Sequence, residues 1–246
     1  METFSRNELY WGVEAQEKLK NSNILIFGLG GVGSFAAEML ARSGIASFTV
    51  VDFDKVSQSN INRQLIALQD TIGKNKADLV KERILSINPA ANVVAINDFY
   101  TEDMHYLFEN KFDFVVDAID SFAFKIELIE YCHSHNIPVI TSMGAANRIC
   151  PEKLYITDIS EVAKVNCAFA TRIVRRLKQD GITSNLPMVL SSEKPKSCEK
   201  ILVEEKVTTN SGKEIEFNKI TPSTTPFVAP VAGIFMASFV VRELLK

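Results

Sequence analysis

The segment that most constrains the fold is a glycine-rich turn between a short apolar run and a helical pattern. The apolar run covers residues 23–27, and the turn after it contains Gly28, Gly30, Gly31 and Gly33. Glycines at a strand-to-helix junction permit a tight turn and let backbone N–H groups approach a phosphate at the positive end of the helix. The spacing therefore predicts a nucleotide site at the end of a strand in an open α/β sheet.

Strand-like and helix-like runs alternate over the first 140 residues. Strands are expected at 23–27, 48–51, 93–96, 112–116 and 138–141, and helices at 33–43, 74–86 and 125–134. This alternation is typical of a doubly wound, mostly parallel, Rossmann-like sheet with helices on both faces.

The pattern changes after residue 150. We expect a smaller C-terminal α+β extension with strands near 153–159, 188–190 and 201–203, a basic helix at 167–179 and an apolar tail helix. The predicted division is 1–150, a nucleotide-binding domain with an N-terminal arm, and 151–246, an extension continuous with it.

Polar residues follow the second predicted strand in an order that fits a polyphosphate. Asp52, with Asp54 close behind it, ends the strand and is placed to accept hydrogen bonds from a ribose. Lys76 opens the next helix, where a cation opposes the helix dipole and therefore indicates an anionic ligand. The loop between them contains Asn62, Arg63 and Gln64. The guanidinium of Arg63 can contact phosphate oxygens in a bidentate manner.

Two aspartates, Asp117 and Asp120, follow the fourth predicted strand, at the sheet edge where ligands bind in such folds. A carboxylate that faces a triphosphate fits Mg²⁺, and we assign this role to Asp120. The other interpretation of Asp120 is an N-cap for the helix that follows.

The ordered motifs GxGGVGS, VVDxD, NxNRQ, GKxKA and DAIDSxxxK resemble the ThiF-like adenylating superfamily. The resemblance implies that residues 1–150 bind ATP and that the enzyme adenylates a carboxylate with release of pyrophosphate. It implies ATP-binding residues Gly28, Gly30, Gly31, Gly33, Asp52, Asp54, Asn62, Arg63, Gln64, Lys76, Asp117 and Asp120. The implied catalytic residues are Arg6, Arg63, Lys76 and Asp120, with Asp120 as the Mg²⁺ ligand. Arg6 would act across a dimer, so a homodimer is expected.

The second half of the chain narrows this resemblance. The sulfur-carrier and ubiquitin-like branches usually add CxxC pairs, and this sequence has none. The runs at 143–145, 157–160, 191–195 and 227–233 resemble the tRNA threonylcarbamoyladenosine dehydratase family. That resemblance implies ATP-dependent cyclisation of threonylcarbamoyladenosine next to the anticodon, through adenylation of the threonyl carboxylate.

Charge is distributed unevenly: residues 161–200 carry a net +4, whereas residues 1–160 carry −7. A basic stretch fits an anionic partner, which the resemblance identifies as tRNA. A solvated helix face is the other interpretation of the same charges. The candidate tRNA-binding residues are Lys164, Arg172, Arg175, Arg176 and Lys178.

Two other functions remain open from the sequence. An adenylyltransferase for the C-terminus of a ubiquitin-like sulfur carrier would share the first motifs but would leave the basic helix unexplained. An NAD-binding module would share the glycine turn but would not account for Arg63 together with Lys76. A sulfurtransferase or cysteine desulfurase partner is a further expectation, and the reactivity of Cys198 is open.

The apolar tail, residues 220–241, has no charged residue but contains Pro222, Pro226 and Pro230. A membrane span needs about 20 apolar residues in an uninterrupted helix, so we expect no membrane insertion. The tail helix is expected to pack in the core or against a second subunit. The chain starts with a polar, charged segment rather than an apolar signal sequence, which predicts a cytoplasmic protein.

Overall fold

The computed structural model describes residues 3–162, 166–199 and 201–246. The strands of its main sheet are β1 (Asn23–Phe27), β2 (Ser47–Val51), β3 (Asn92–Ile96), β4 (Phe114–Asp117), β5 (Val139–Ser142), β6 (Leu154–Asp158) and β7 (Pro187–Ser191). The helices are α1 (Ser5–Trp11), α2 (Val13–Lys20), α3 (Gly33–Arg42), α4 (Lys76–Ile87), α5 (Phe122–Ser134), α6 (Ala168–Gln179) and α7 (Val228–Leu244). A separate hairpin consists of β8 (Ile201–Thr208) and β9 (Glu214–Thr221).

The seven-stranded sheet has the order β3-β2-β1-β4-β5-β7-β6. All neighbouring strands are parallel except β6, which runs antiparallel to β7. The strand order reverses between β1 and β4, where Phe27 pairs with Asp117. Ligands bind at such a reversal, outside the carboxyl ends of the strands. The predicted doubly wound, mostly parallel sheet is confirmed, and β6 and β7 extend it beyond residue 150.

Two apolar cores, one on each face of the sheet, hold it between layers of helices. On β1, Ile24 and Ile26 face the core beneath α3, α4 and α7, and Leu25 and Phe27 face the core beneath α5 and α6. All four side chains are fully buried. A strand covered on both faces needs a continuous apolar run, which explains why β1 reads NILIF rather than as an alternating pattern.

The apolar tail forms α7 and packs on α3 of the same chain. A Cβ on Gly233 would lie 2.2 Å from the carbonyl oxygen of Val32, so the two helices are in backbone contact. The tail therefore packs in the core, which is one of the two locations expected for it. Ile234 on α7 and Phe227 before it remain exposed. In the part of the chain that is described, no helix is both long and apolar enough to cross a bilayer.

The hairpin is the largest element that the sequence did not predict in full. Strand pairing runs from Ile201 opposite Thr221 to Thr208 opposite Glu214, far beyond the expected strand at 201–203. The second half of β8 and all of β9 contain both charged and apolar residues. The sequence therefore has no continuous apolar run there that would predict a strand. The partner strand, rather than local preference, stabilises these residues as an extended ladder.

Replacing Gly233 by alanine should lower the free energy of unfolding by about 1–3 kcal/mol, because the added methyl group forces α7 away from α3. Urea unfolding followed by circular dichroism measures this change. Gly30→Ala is the matched control, since a Cβ there meets only Gln64 Nε2, at 3.6 Å. The control should change stability by less than about 0.5 kcal/mol, and an equal loss in both variants would contradict the explanation.

Candidate active site

The glycine turn lies at the carboxyl ends of β1 and β4. Gly28 has φ of +83°, and a Cβ there would lie 2.7 Å from the carbonyl oxygen of Ala118. A Cβ on Gly33 would lie 1.8 Å from the carbonyl oxygen of Gly28. Only glycine tolerates this positive φ together with these approaches. The first turn of α3, with the positive end of its dipole, is thereby held at this edge.

Asp52 closes the turn from the β2 side. Its Oδ2 accepts a hydrogen bond from the backbone N–H of Leu29 (2.6 Å), and its Oδ1 accepts one from Asp54 (2.8 Å). Burial raises the pKa of Asp52, and the charge of Lys76 acts against that rise. Each carboxylate oxygen can accept a further hydrogen bond, so the group remains able to receive a ribose hydroxyl.

Lys76 is nearly fully buried, and its Nζ lies 2.6 Å from Asp54 Oδ2. The cation at the start of α4 therefore has a counter-charge within the protein. This corrects the sequence argument that a lysine at this position needs a polyphosphate to explain it. The ion pair lies beside Asp52, since Asp52, Lys76 and Asp54 influence one another electrostatically.

Arg63 is half-buried beside the glycine turn. Its Nη1 donates to the Ser59 carbonyl and to Asn62 Oδ1, both at 2.9 Å. A Cβ on Gly31 would lie 3.3 Å from Arg63 Cγ. Burial lowers the pKa of Arg63, and the carboxylate of Asp120 opposes that shift. Arg63, the turn and Asp120 thus belong to one site.

Gln64 gives the clearest sign that a ligand completes this site. The side chain is 7% exposed, and its buried Oε1 has no hydrogen-bond donor among the described residues. A buried polar oxygen without a donor costs about 1–3 kcal/mol. Its Nε2 lies 3.6 Å from the Cβ position of Gly30. A donor from a ligand over the glycine turn would satisfy this amide.

The two aspartates after β4 have different surroundings. Asp117 is fully buried, and its Oδ2 accepts hydrogen bonds from Lys125 Nζ and Thr141 Oγ1, both at 2.6 Å. Burial lowers the pKa of Lys125, and Asp117 opposes that shift. This geometry does not support Asp117 as a nucleotide contact, because its carboxylate points into the protein. Its Oδ1 accepts from the N–H of Ile119 and so positions the loop that carries Asp120.

Asp120 is exposed at the same edge. Among residues 3–162, 166–199 and 201–246 there is no group of three or more His, Cys, Asp or Glu side chains that could hold a metal ion. Mg²⁺ is usually held by one or two carboxylates together with substrate phosphates and water. A single exposed carboxylate opposite Arg63 therefore fits an ion that arrives with a polyphosphate.

Arg148 is a site residue that the sequence analysis missed. It is 3% exposed, and its guanidinium donates to the carbonyl oxygens of Gly144, Ala146, Asn166 and Glu193. These carbonyls belong to the loop after β5, the segment before α6 and the loop after β7. The only sequence signal is an arginine within a run of small residues, 143–149. Three loops at the carboxyl edge are thus tied to one buried cation.

The 191–199 loop is connected to the Arg63 loop through two short segments. The N–H of Lys196 donates to the Asn147 carbonyl (2.8 Å), and Ser223 Oγ donates to Asn147 Oδ1 (2.8 Å). Next to Ser223, the Thr224 carbonyl accepts from Asn62 Nδ2 (3.0 Å). The 191–199 loop is therefore linked to the Arg63 loop through residues 147 and 223–224. Cys198 lies in this loop, and its Sγ is 3.1 Å from Ser223 Oγ.

The basic residues of α6 have different surroundings. The apolar face of the helix is buried, and Arg175 is exposed on the other face. Arg176 Nε lies 2.5 Å from Asp180 Oδ2, and Lys178 Nζ is 3.4 Å from the Val162 carbonyl. The guanidinium of Arg172 lies over the Phe122 ring. Lys164 lies outside the described residues.

Arg6 is not near the site in its own chain. Helix α1 is attached to the far end of α3, where Asn7 Nδ2 donates to the Arg42 carbonyl (2.8 Å). The glycine turn is at the opposite end of this ten-residue helix, about 15 Å away. The side chain of Arg6 is exposed. The remaining motif residues converge on one edge, but Arg6 does not.

Known proteins are similar to this chain in both sequence and fold. The ThiF family model matches residues 4–246. A tRNA threonylcarbamoyladenosine dehydratase of Bacillus subtilis (strain 168) is 44% identical over 248 residues, covering 99% of this chain and 94% of that protein. The crystal structure of E. coli tRNA N6-threonylcarbamoyladenosine dehydratase in complex with ATP has a TM-score of 0.84 at 30% identity, covering 99% of this chain and 93% of that one. A molybdopterin-synthase adenylyltransferase of Haemophilus influenzae is 36% identical over 136 residues, which is 55% of each protein.

Replacing Lys125 by methionine should destabilise the protein by about 3–5 kcal/mol, because it leaves the buried Asp117 carboxylate without its cation. Guanidinium unfolding at pH 7 measures this loss. The double variant Lys125→Met with Asp117→Asn is the matched control, since it removes both charges and should recover part of the stability. A loss below about 1 kcal/mol in the single variant would show that the pair is not a stabilising contact.

Proposed function

The chain belongs to the ThiF family, and from this premise we propose that it is an ATP-dependent tRNA threonylcarbamoyladenosine dehydratase. One observation carries the proposal: the similarity to the Bacillus subtilis dehydratase extends over nearly the whole chain. The similarity to the molybdopterin-synthase adenylyltransferase covers only about half of it. The site supports the same chemistry, because a glycine turn, a carboxylate that can accept ribose hydroxyls, the buried Lys76 and the half-buried Arg63 meet at one edge.

In this proposal ATP binds over the glycine turn. The α-phosphate lies at the start of α3, where the helix dipole favours negative charge. Asp52 accepts the ribose hydroxyls, and the orphan oxygen of Gln64 receives a donor from the nucleotide. Arg63 and Lys76 contact the phosphates. Asp54 holds Lys76 Nζ at this edge beforehand, so the cation is already oriented when ATP arrives.

The first chemical step joins the threonyl carboxylate to AMP. A carboxylate oxygen attacks the α-phosphorus, the bond to the bridging oxygen breaks, and pyrophosphate leaves with its electron pair. Attack by one anion on another is slow unless fixed cations reduce the repulsion and stabilise the leaving group. Arg63 and Lys76 supply that charge. Mg²⁺ held by Asp120 would neutralise phosphate oxygens as a Lewis acid.

The second step closes a ring within the substrate. The carbamoyl group attacks the activated carbonyl carbon, AMP departs, and the net change is loss of one water. No nucleophile from the protein is required, so Cys198 and the other cysteines need no chemical role. The protein contributes by excluding water, which would hydrolyse the acyl adenylate. The loops that Arg148 joins would cover the site and keep water out.

The substrate tRNA is proposed to contact the exposed face of α6. Arg175 is the best candidate for a phosphate contact there, because its side chain is exposed and forms no ion pair with a described residue. Arg176 already pairs with Asp180, which makes it a weaker candidate than the sequence suggested. We propose that this reaction takes place in the cytoplasm, where tRNA and ATP are both present.

Pyrophosphate release tests the proposed function. With ATP and Mg²⁺, release should require tRNA that carries threonylcarbamoyladenosine, and unmodified tRNA should give none. Arg63→Ala is the control and should lose at least about a hundredfold in rate, since it removes a charge that stabilises the transition state. Release with neither tRNA would favour the carrier-protein alternative, which a purified ubiquitin-like carrier with a C-terminal glycine would then test.

We also propose that Arg6 acts in the active site of a partner subunit. The argument is the distance within one chain, because α1 is attached about 15 Å from the glycine turn. The exposed apolar side chains of Leu9, Tyr10 and Val13 lie beside Arg6 on α1 and α2. Apolar groups clustered on a surface mark an interaction site, here one for a second copy of the chain. A sulfurtransferase or cysteine desulfurase partner stays a prediction from the sequence.

Mixing two inactive variants tests this arrangement. Arg6→Ala and Arg63→Ala should each be inactive alone, but their mixed dimers contain one complete site. After subunit exchange, the mixture should recover about a quarter of wild-type activity, as expected for a two-fold symmetric dimer. Differential tagging shows whether mixed dimers have formed. If they have formed and activity does not recover, Arg6 does not act in the active site of the partner subunit. Sedimentation as a monomer at micromolar concentration would contradict the dimer itself.

A further inference from the structure

Helix α6 meets the start of α5 beside the loop that carries Asp120. The guanidinium carbon of Arg172 lies 4.5 Å from the centre of the Phe122 ring. Phe122 is the first residue of α5 and follows Asp120 by two positions. A basic side chain of the helix assigned to tRNA therefore lies at the catalytic edge, rather than on a remote part of the surface.

The surroundings of Arg172 differ from those of its neighbour on the same helix. Arg176 is paired with Asp180, whereas Arg172 has no carboxylate within ion-pair distance in the described parts of the chain. The side chain is exposed, so one side of the guanidinium faces the ring and the other remains open. Phe122 is half-buried and packs on the core beneath α5 and α6, which fixes its ring. The ring holds the cation through a cation–π contact.

A second aromatic side chain borders the same area. Phe169, one turn before Arg172 on α6, is half-buried, and its ring lies 3.9 Å from the Cβ position of Gly144. The carbonyl oxygen of Gly144 in turn accepts a hydrogen bond from Arg148 Nη1. The loop after β5, the start of α6 and the start of α5 thus form one continuous surface around Arg172.

Unpaired bases in RNA are recognised by stacking on aromatic rings and on arginine guanidinium planes. We propose that Arg172, held by Phe122, is the platform on which an unpaired purine of the anticodon loop stacks, so that the modified adenosine is presented to Asp120 and ATP. The inference rests on the proposed function. Only a short chain of atoms joins the adenine to the carboxylate that attacks ATP. The position of the base therefore decides where the carboxylate lies, and a platform that holds the base serves that reaction.

Stacking and simple charge attraction predict different results for lysine. Lysine keeps the positive charge and can still contact a phosphate, but it has no planar group on which a base can stack. Arg172 is therefore a positioning residue for the base if Arg172→Lys is impaired, and a phosphate contact if Arg172→Lys is unaffected. Arg175, exposed on the same helix, provides the matched comparison.

The experiment measures pyrophosphate release with an anticodon stem-loop RNA that carries threonylcarbamoyladenosine, for wild type and for Arg172→Lys, Arg172→Ala, Arg175→Lys and Arg175→Ala. Both Arg172 variants should lose at least about fivefold in kcat/KM, since stacking of one base supports such a factor. Arg175→Lys should lose less than Arg172→Lys, because a phosphate contact needs only the positive charge, and Arg175→Ala should raise KM and reduce its salt dependence. Affinity for ATP should be unchanged in all four variants.

Phe122→Leu provides a second, independent variant. It keeps an apolar side chain at this position but removes the ring, and it should lower kcat/KM for the RNA in the same way as Arg172→Lys. Thermal unfolding and ATP affinity show whether the variant is folded.

The outcomes separate this inference from the proposed function. If the wild-type protein releases no pyrophosphate with the modified RNA, the proposed function fails and the platform fails with it. If the wild-type protein is active and Arg172→Lys equals it, the platform alone is overturned. Loss in Arg172→Ala without loss in Arg172→Lys would identify a phosphate contact instead and would likewise overturn the stacking role.

Discussion

The contact between the glycine turn and the end of β4 is the constraint on which the rest of the site depends. Gly33 approaches the carbonyl of Gly28 so closely that a single Cβ would prevent it, and Gly28 approaches Ala118 in the same way. These approaches fix the first turn of α3 at the point where the strand order reverses. Every other group of the site is positioned around that helix end, whose dipole favours a phosphate.

A second principle of the site is that its charges are partly compensated by the protein itself. Asp54 pairs with Lys76, and Asp117 pairs with Lys125. Because buried charges without partners are costly, these pairs allow cations to be kept near a low-dielectric cleft before any ligand binds. The two pairs differ in depth: Lys125 and Asp117 are both fully buried, whereas Asp54 is partly exposed at the site.

Hydrogen bonds to main-chain atoms join the two halves of the chain beside the site. Arg148 binds carbonyls from three segments, and Asn62 binds the Thr224 carbonyl next to the loop of Arg63. This arrangement couples the phosphate-binding loop to the part of the chain that resembles the tRNA-modifying relatives. The 191–199 loop and α6 are thereby held next to the glycine turn, and a two-substrate adenylation would require such proximity.

The sequence by itself determined the sheet, its direction and the motif residues, because each depends on local spacing: a glycine turn after an apolar run, and polar residues directly after strands. The tertiary structure alone decided what each charged residue faces. Asp117 and Asp120 lie three positions apart and look alike in sequence, yet one is sealed against Lys125 and the other is exposed. Arg172 and Arg176 also look alike in sequence, yet one lies over the Phe122 ring and the other pairs with Asp180. The physical reason is that burial and ion pairing come from residues distant in the chain, as with Arg148, whose partners reach position 193.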